Sequence, residues 1–328
     1  MSLEGDKMEE TIKILIPDDL PKACMDTFES AGFAVTFEPD LSPEALLAKV
    51  KDYDGMVVRS RVKVTREIIE SSDRLKLIGR AGVGYDNIDV EAATERGVAV
   101  MNVPGANAVS VAELTMVMML SLARNLIEAN ESTKAGKWEK KRFKGNEIMG
   151  KTLGLIGLGK VGVEVAKRGI GFGMKVIAND PRFTSDSAVP FGAKIIDLDQ
   201  LLGQSDYISL HLPLTENTYH MLNEQTLNRC KRGVRIVNCA RGEIIDEQAL
   251  YEAIQSGQVA GAALDVYEKE PPKDSPLREL TNVIMTPHIG ASTVEAQIRV
   301  AINVARQMVN FFKEEKIENV VNPEAILK

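Results

Sequence analysis

The sequence predicts an α/β protein built from two doubly wound parallel sheets. Three observations predict it. Short apolar runs alternate with helix-patterned segments along nearly the whole chain, which argues parallel strands joined by helices on both faces. A Gly157-x-Gly159-x-x-Gly162 turn joins an apolar run to an amphipathic segment in mid-chain. A Pro-Gly interruption in NVPGAN, residues 102–107, divides the alternation into two series.

The first series runs IKILI, PKACMDTFESAG, FAVTF, SPEALLAKV, DGMVV, TREIIES, LKLIG, DVEAATERG and VAVMN. It reads as a small α/β domain over residues 12–102. After the interruption, residues 108–130 read as one long helix rich in Ala, Met and Leu. That helix is apolar on too many sides for one core contact. Either it also meets a second subunit or the neighbouring domain, or it is a central helix buried within one chain.

The second series begins at KTLGLIG and continues through KVIAN, AKII, YISLHL, VRIVNCA, AGAALDV and NVIMTPH. A last strong helix, residues 293–314, leaves a short tail that returns most economically to the first domain. The expectation is a Rossmann-type NAD domain, residues 105–293, inserted into a flavodoxin-like substrate domain made of residues 1–104 and 294–328.

The stretch from Lys151 to Asp180 carries the clearest chemistry. Gly157 permits a tight turn, Gly159 lets backbone N–H groups approach a pyrophosphate, and Gly162 lets the helix pack close on the strand. The helix N-terminus then faces the diphosphate. Asp180, ending the second strand, accepts hydrogen bonds from both ribose hydroxyls and repels a 2′-phosphate. NAD is therefore expected over NADP, although Arg182 two residues on weakens the second argument.

Composition bounds the rest. The chain has 328 residues, 44% of them hydrophobic, and a formal net charge of −7. Nothing global attracts nucleic acid or an anionic membrane surface, so an anion site must be built locally. Cys24, Cys230 and Cys239 form no C-x-x-C pair and no metal spacing, which points to a reducing compartment and no metal. No long uncharged apolar run is present, and the opening MSLEGDKMEE is acidic rather than basic then apolar. A cytoplasmic protein is expected.

In an open parallel sheet, ligands bind beyond the carboxyl ends of the strands. Arg241, Glu270 and His288 each follow a different apolar run. The three suit hydride transfer from a carbinol. His288 takes the hydroxyl proton, Glu270 holds the ring and raises its pKa, and Arg241 grips a substrate carboxylate. His211 also ends a run and is a second candidate, lining the cofactor site; His220 reads as a surface helix or turn.

These motifs, with VVRSRVKVT, GRAGVGYDNIDVEAATERGVAVMNVPGANAVSVAELT, KAGKWEKKRFKGNEIMGKTLGLIGLGKVG, CKRGVRIVNCARGEIIDEQAL, GAALDVYEKEPP and PHIGASTVEAQ, cover nearly the whole chain. The chain resembles the D-isomer-specific 2-hydroxyacid dehydrogenases. The resemblance implies that Arg241, Glu270 and His288 are the catalytic trio. It implies that Asp265 touches the nicotinamide carboxamide, that Cys239, Ala240 and residues 289–291, including Gly290 and Ala291, complete that pocket, and that Lys160 and Val161 lie over the pyrophosphate. Val83 stands where many relatives carry Thr, so a hydroxyl contact to the cofactor is absent there.

For the substrate, the resemblance implies that Arg59 and Arg80 take a phosphate and a carboxylate, assisted by Asn102 and the backbone of residues 81–84. Lys140, in KWEKKRF, either reaches a partner subunit's site in a homodimer or belongs to a solvated basic run. The implied reaction is oxidation of 3-phospho-D-glycerate by NAD, without the serine feedback that an additional C-terminal domain gives some relatives. A glyoxylate or hydroxypyruvate reductase of the same fold is the nearest alternative. An NAD-sensing, corepressor-like binding protein is the remote one.

Overall fold

The computed structural model describes residues 11–184 and 192–327, so the acidic opening decapeptide lies outside the described residues. The chain divides into two compact units, one running to Asn107 and resuming at Thr293, the other Ala108–Ser292.

The first unit opens with β1 (Lys13–Ile16), α1 (Ala23–Ser30), β2 (Ala34–Phe37), α2 (Pro43–Lys49), β3 (Gly55–Val58), α3 (Arg66–Glu70), β4 (Leu77–Arg80), α4 (Val90–Glu95) and β5 (Ala99–Met101). The second comprises α5 (Ala108–Arg124), α6 (Leu126–Lys134), β6 (Thr152–Ile156), α7 (Lys160–Gly171), β7 (Lys175–Asn179), β8 (Lys194–Ile195), α8 (Leu198–Gln204), β9 (Tyr207–Leu210), α9 (Glu224–Arg229), β10 (Val234–Asn238), α10 (Glu247–Gln255), β11 (Val259–Leu264) and β12 (Val283–Met285). The chain then re-enters the first unit with α11 (Val294–Glu314).

Both sheets are parallel throughout their described strands. The first has the order β2-β1-β3-β4-β5, the flavodoxin-like winding. The second has the order β12-β11-β10-β9-β6-β7-β8, the Rossmann winding extended by one strand. Consecutive residues of one strand enter opposite apolar layers: Ile156, Ile236 and Ala262 pack on one face, and Leu155, Val237 and Ala263 on the other. In the first unit Leu15, Met56 and Ile78 face one layer, and Ile14, Val57 and Leu77 the other. Strands covered on both faces read as continuous apolar runs, and that is why each was visible in the sequence.

The helix α11 closes one face of the first sheet. A Cβ on Gly79 in β4 would come within 2.4 Å of Met308 Sδ, so only glycine lets α11 pack this close. The tail beyond α11 covers the free edge of β5, where Val320 bridges Met101 antiparallel and Val321 N–H donates to Val100 O at 2.9 Å.

The expected single helix over residues 108–130 is two helices. It breaks at Asn125, which adopts φ 50°, and the two parts are bent by 66°. The cause lies outside the helix. Asn146 N–H takes the Ala123 carbonyl at 2.8 Å, and Gly145 crosses so closely that a Cβ there would meet Ala123 O at 2.5 Å. Asn tolerates the left-handed conformation that results. α5 is mostly buried, with Val109 and Val117 exposed; α6 exposes Leu126 and Ile127. Among the described residues, no single helix is long and apolar enough to cross a membrane.

Candidate active site

Strand order in the second sheet reverses at β6, between β9 and β7, which is where such a fold leaves a crevice beyond the strand ends. The glycine turn occupies this point. Gly157 has φ 98°, and a Cβ on it would meet His211 O at 2.5 Å. A Cβ on Gly162 would meet Gly157 O at 2.2 Å. Both glycines are thus required by the protein's own packing. Gly159 is different: a Cβ there meets no protein atom within 4 Å. The open space at the start of α7 leaves room for a pyrophosphate. Lys160 and Val161 begin α7 directly after Gly159, its N-cap.

Asp180 follows β7 and is buried. Its Oδ2 accepts Leu158 N–H at 2.7 Å, so the acid also holds the glycine turn in place. Arg182 meets the same carboxylate through Nε at 2.9 Å and Nη2 at 2.6 Å, and its N–H donates to Oδ1 at 3.0 Å. The guanidinium's hydrogen bonds, working against the burial that would raise it and aided by the two backbone N–H groups, lower the Asp180 pKa to about 2. The sequence showed Arg182 as a neighbour of Asp180; that the two form a bidentate ion pair is a finding of the structure.

His211, after β9, has its Nε2 3.0 Å from Ser209 Oγ, and burial pushes its pKa down to about 3. A neutral ring of this kind is no proton acceptor near neutrality. His220 lies in a turn with φ 47°, stacked on Tyr219 and 3.3 Å from Glu268.

At the other flank of the sheet, β10, β11 and β12 deliver the trio. Nδ1 of His288 lies 2.9 Å from Oε2 and 3.1 Å from Oε1 of Glu270. This carboxylate's hydrogen bond, against partial burial, raises the pKa of His288 above its ordinary 6.5. Burial alone would raise Glu270, yet the hydrogen bond and charge of His288, the Tyr267 N–H and the charge of Arg241 together hold it below its ordinary value. Arg241 is therefore near enough to act on both partners. Its loop is set there by contact: a Cβ on Gly242 would fall 1.9 Å from Tyr267 C, so the two loops meet backbone to backbone. Arg241 Nη1 donates to Ala240 O at 2.7 Å.

The loop bearing His288 is held from behind. Asp265, almost fully buried, accepts Thr286 Oγ1 at 2.6 Å, Ile289 N–H at 2.8 Å and Gly290 N–H at 2.7 Å. Tyr267 donates its hydroxyl to Leu264 O at 3.0 Å and Thr286 O at 2.8 Å, tying the end of β11 to the end of β12. His288 itself sits at φ 53°, a conformation these bonds impose. Sequence reasoning gave Asp265 a cofactor role and did not see the brace it forms with Tyr267 and Thr286. Ala291 follows the braced segment, partly exposed. Cys239 packs its thiol 3.6 Å from Met118 Sδ, and burial pushes that thiol up to about 12, so it is no thiolate. Ala240 N–H donates to Asn238 Oδ1 at 2.9 Å.

In the first unit Arg59 follows β3 and Arg80 ends β4. The order of this sheet turns at β1 and β3, so Arg59 occupies its switch point. Asp18 accepts Arg59 N–H at 2.9 Å, and Arg59 Nη1 donates to Asp19 O at 3.1 Å. Arg80 folds over its own loop, where a Cβ on Gly82 would lie 1.6 Å from Nη1. Asn102 is buried and donates its amide to Val83 O at 2.7 Å, so it fixes the loop of residues 81–84. Lys140 is exposed in the segment between α6 and β6.

Residues 116–290 match the model of the D-isomer specific 2-hydroxyacid dehydrogenase NAD binding domain. The chain is 51% identical over 312 residues to a D-3-phosphoglycerate dehydrogenase of Methanocaldococcus jannaschii, covering 95% of this chain and 59% of that relative. It thus spans about three-fifths of the length of the curated relatives it matches. The NAD+-bound 3-phosphoglycerate dehydrogenase of Entamoeba histolytica superposes with a TM-score of 0.80 at 33% identity, covering 95% of this chain and 99% of that one. A glyoxylate reductase from Paecilomyes thermophila gives 0.86, also at 33%, over 95% and 99%. The chain belongs to the D-isomer-specific 2-hydroxyacid dehydrogenase family and carries that family's NAD-binding domain.

Proposed function

We propose that the protein oxidises 3-phospho-D-glycerate to 3-phosphooxypyruvate with NAD, the first step of serine synthesis. The observation that carries the reading is the Glu270–His288 pair beside Arg241. Glu270 accepts Nδ1–H of His288 and so leaves Nε2 free to take the carbinol proton. Arg241 holds the substrate carboxylate through its guanidinium fork and fixes which face of the carbinol carbon is presented. NAD, when bound, accepts the hydride that leaves that carbon. As the hydride departs, the imidazolium formed at His288 is stabilised by Glu270 and by the buried charge of Asp265.

Gly157, Gly159, Lys160, Val161, Gly162 and Asp180 hold the diphosphate and adenine ribose of the cofactor in this reading. Cys239, Ala240, Asp265, Gly290 and Ala291 border its nicotinamide. Arg59 and Arg80 take the substrate phosphate, with Asn102 holding the loop that presents Arg80. Two arginines at strand ends of a chain with net charge −7 support a phosphorylated substrate. The identity to named phosphoglycerate dehydrogenases supports the same substrate.

The test is a comparison of kcat/KM for 3-phospho-D-glycerate and D-glycerate. A large preference for the phosphate ester is expected; equal values reject this substrate. The second reading, a glyoxylate or hydroxypyruvate reductase, draws on the TM-score of 0.86 to a glyoxylate reductase, and it predicts no loss of turnover in Arg59→Ala. Tight NAD binding without turnover of any 2-hydroxy acid would instead favour a corepressor-like binding protein.

The working protein in this reading is a cytoplasmic homodimer. Trp138 is 86% exposed, and Val117, Leu126, Ile127, Met149 and Phe172 add further exposed apolar surface. Lys140 would then reach the partner's site. Cys24, Cys230 and Cys239 are all free, in keeping with a reducing compartment. Trp138→Asp is expected to yield a monomer by light scattering.

A further inference from the structure

Asp180 is saturated by the protein itself. An ionised carboxylate offers about four acceptor positions. Here Oδ2 takes Leu158 N–H and Arg182 Nη2, while Oδ1 takes Arg182 N–H and Arg182 Nε. Two of the four donors are backbone N–H groups built into the glycine turn and the turn after β7. They cannot leave without dismantling the site.

The other two are the guanidinium's, and they can leave. The Arg182 side chain is 62% exposed, whereas that of Asp180 is 4% exposed, so the acid is enclosed and the arginine, held otherwise over the Phe183 ring at 5.7 Å, faces solvent and can be displaced. Withdrawal of Nε and Nη2 frees one acceptor position on each oxygen. A ribose diol has two hydroxyls to fill them. The released guanidinium, anchored two residues from the acid, would offer a 2′-phosphate a bidentate partner.

We propose that Arg182 is a specificity-determining residue that competes with the adenosine ribose for Asp180 and, once displaced, receives a 2′-phosphate. Asp180 and Arg182 thereby set the choice between NAD and NADP as a pair. The acid favours the diol, and the arginine both taxes that choice and lowers the barrier to NADP. This inference rests on the glycine turn being a dinucleotide site, as proposed above.

The experiment is titration of NAD+ and NADP+ into the wild-type protein, Arg182→Ala, Arg182→Lys and Asp180→Ser, with Kd read by calorimetry and no substrate present. In Arg182→Ala the ratio of the NADP+ Kd to the NAD+ Kd is expected to rise by at least about tenfold, the size of a lost charge-assisted hydrogen bond or more. Arg182→Lys, which keeps the charge, should fall between the two. Asp180→Ser, keeping Arg182, should bind NADP+ more tightly than NAD+.

An unchanged or reduced ratio in Arg182→Ala overturns the role of Arg182. Failure of the wild-type protein to bind either dinucleotide rejects the dinucleotide site itself, a distinct outcome. A thermal melt of the two Arg182 variants, expected within a few degrees of wild type at this exposed arginine, separates loss of selectivity from loss of fold; Asp180→Ser, which removes a buried acceptor of Leu158 N–H, is read only through the ratio of its two Kd values.

Discussion

Nδ1 of His288 stands 2.9 Å from Oε2 of Glu270, each displacing the other's proton affinity in opposite directions. Oxidation needs His288 neutral, because it receives the carbinol proton. With its pKa raised above 6.5, the acid limb of the kcat/KM profile for oxidation lies above 6.5. Glu270→Gln removes the largest cause of that elevation and leaves the burial that opposes it. The acid limb should therefore move to lower pH, while the alkaline limb of the reverse reaction, which needs His288 protonated, moves down with it. A limb that stays in place, measured in both directions, would show that the pair does not govern catalysis.

Removal of the proton acceptor is a separate matter from tuning it. His288→Ala should lower kcat by roughly two to four orders of magnitude, the usual worth of general acid–base catalysis. NAD affinity should persist, since the glycine turn and Asp180 lie at other strand ends. Steady-state kinetics with calorimetry on one preparation checks both halves.

Much of this was legible in the chain because the fold exposes its logic at strand ends. Leu153 to Ile156 and Gly261 to Leu264 are apolar on both faces, so the strands announce themselves and the polar residues after them stand out. His288, Glu270 and Arg241 stand out in this way as candidates. The support beneath them does not. Tyr267 bonds to Thr286, and Asp265 to Gly290, across loops far apart in sequence, and no local pattern marks such bonds. The break at Asn125 was hidden for the same reason, because its cause is a hydrogen bond from Asn146 to Ala123. Arg182 is visible in the sequence as a neighbour of Asp180, but adjacency does not reveal a bidentate pair.

The two kinds of glycine in the turn predict opposite behaviour. Gly162→Ala forces a Cβ to within 2.2 Å of Gly157 O. Overpacking of this kind costs about 1–3 kcal/mol. The melting temperature should therefore fall, and NAD affinity should fall with it because the clash displaces the turn that faces the diphosphate. Gly159→Ala meets no protein atom within 4 Å, so its melting temperature should be unchanged. Loss of NAD affinity there, without loss of stability, would identify Gly159 as the point of closest approach to the diphosphate. Retained affinity would remove it from the site.

Asn322 joins the two ends of the first unit. Its Oδ1 accepts Val100 N–H at 2.8 Å, and its Nδ2 donates to Val98 O at 2.9 Å and Thr94 Oγ1 at 3.0 Å. These bonds lie beneath the tail that covers the edge of β5, and Asn322 is only 2% exposed. Truncation strands a buried N–H and a buried carbonyl, each worth about 1–3 kcal/mol when left unmade. Asn322→Ala should therefore cost about 2–6 kcal/mol, read as a lower urea midpoint. Because a strand edge with unpaired groups recruits other chains, the variant should also aggregate more readily on warming. NAD affinity under native conditions should not change, as the glycine turn belongs to the second unit. An unaltered urea midpoint would mean that the tail is held by its apolar contacts alone.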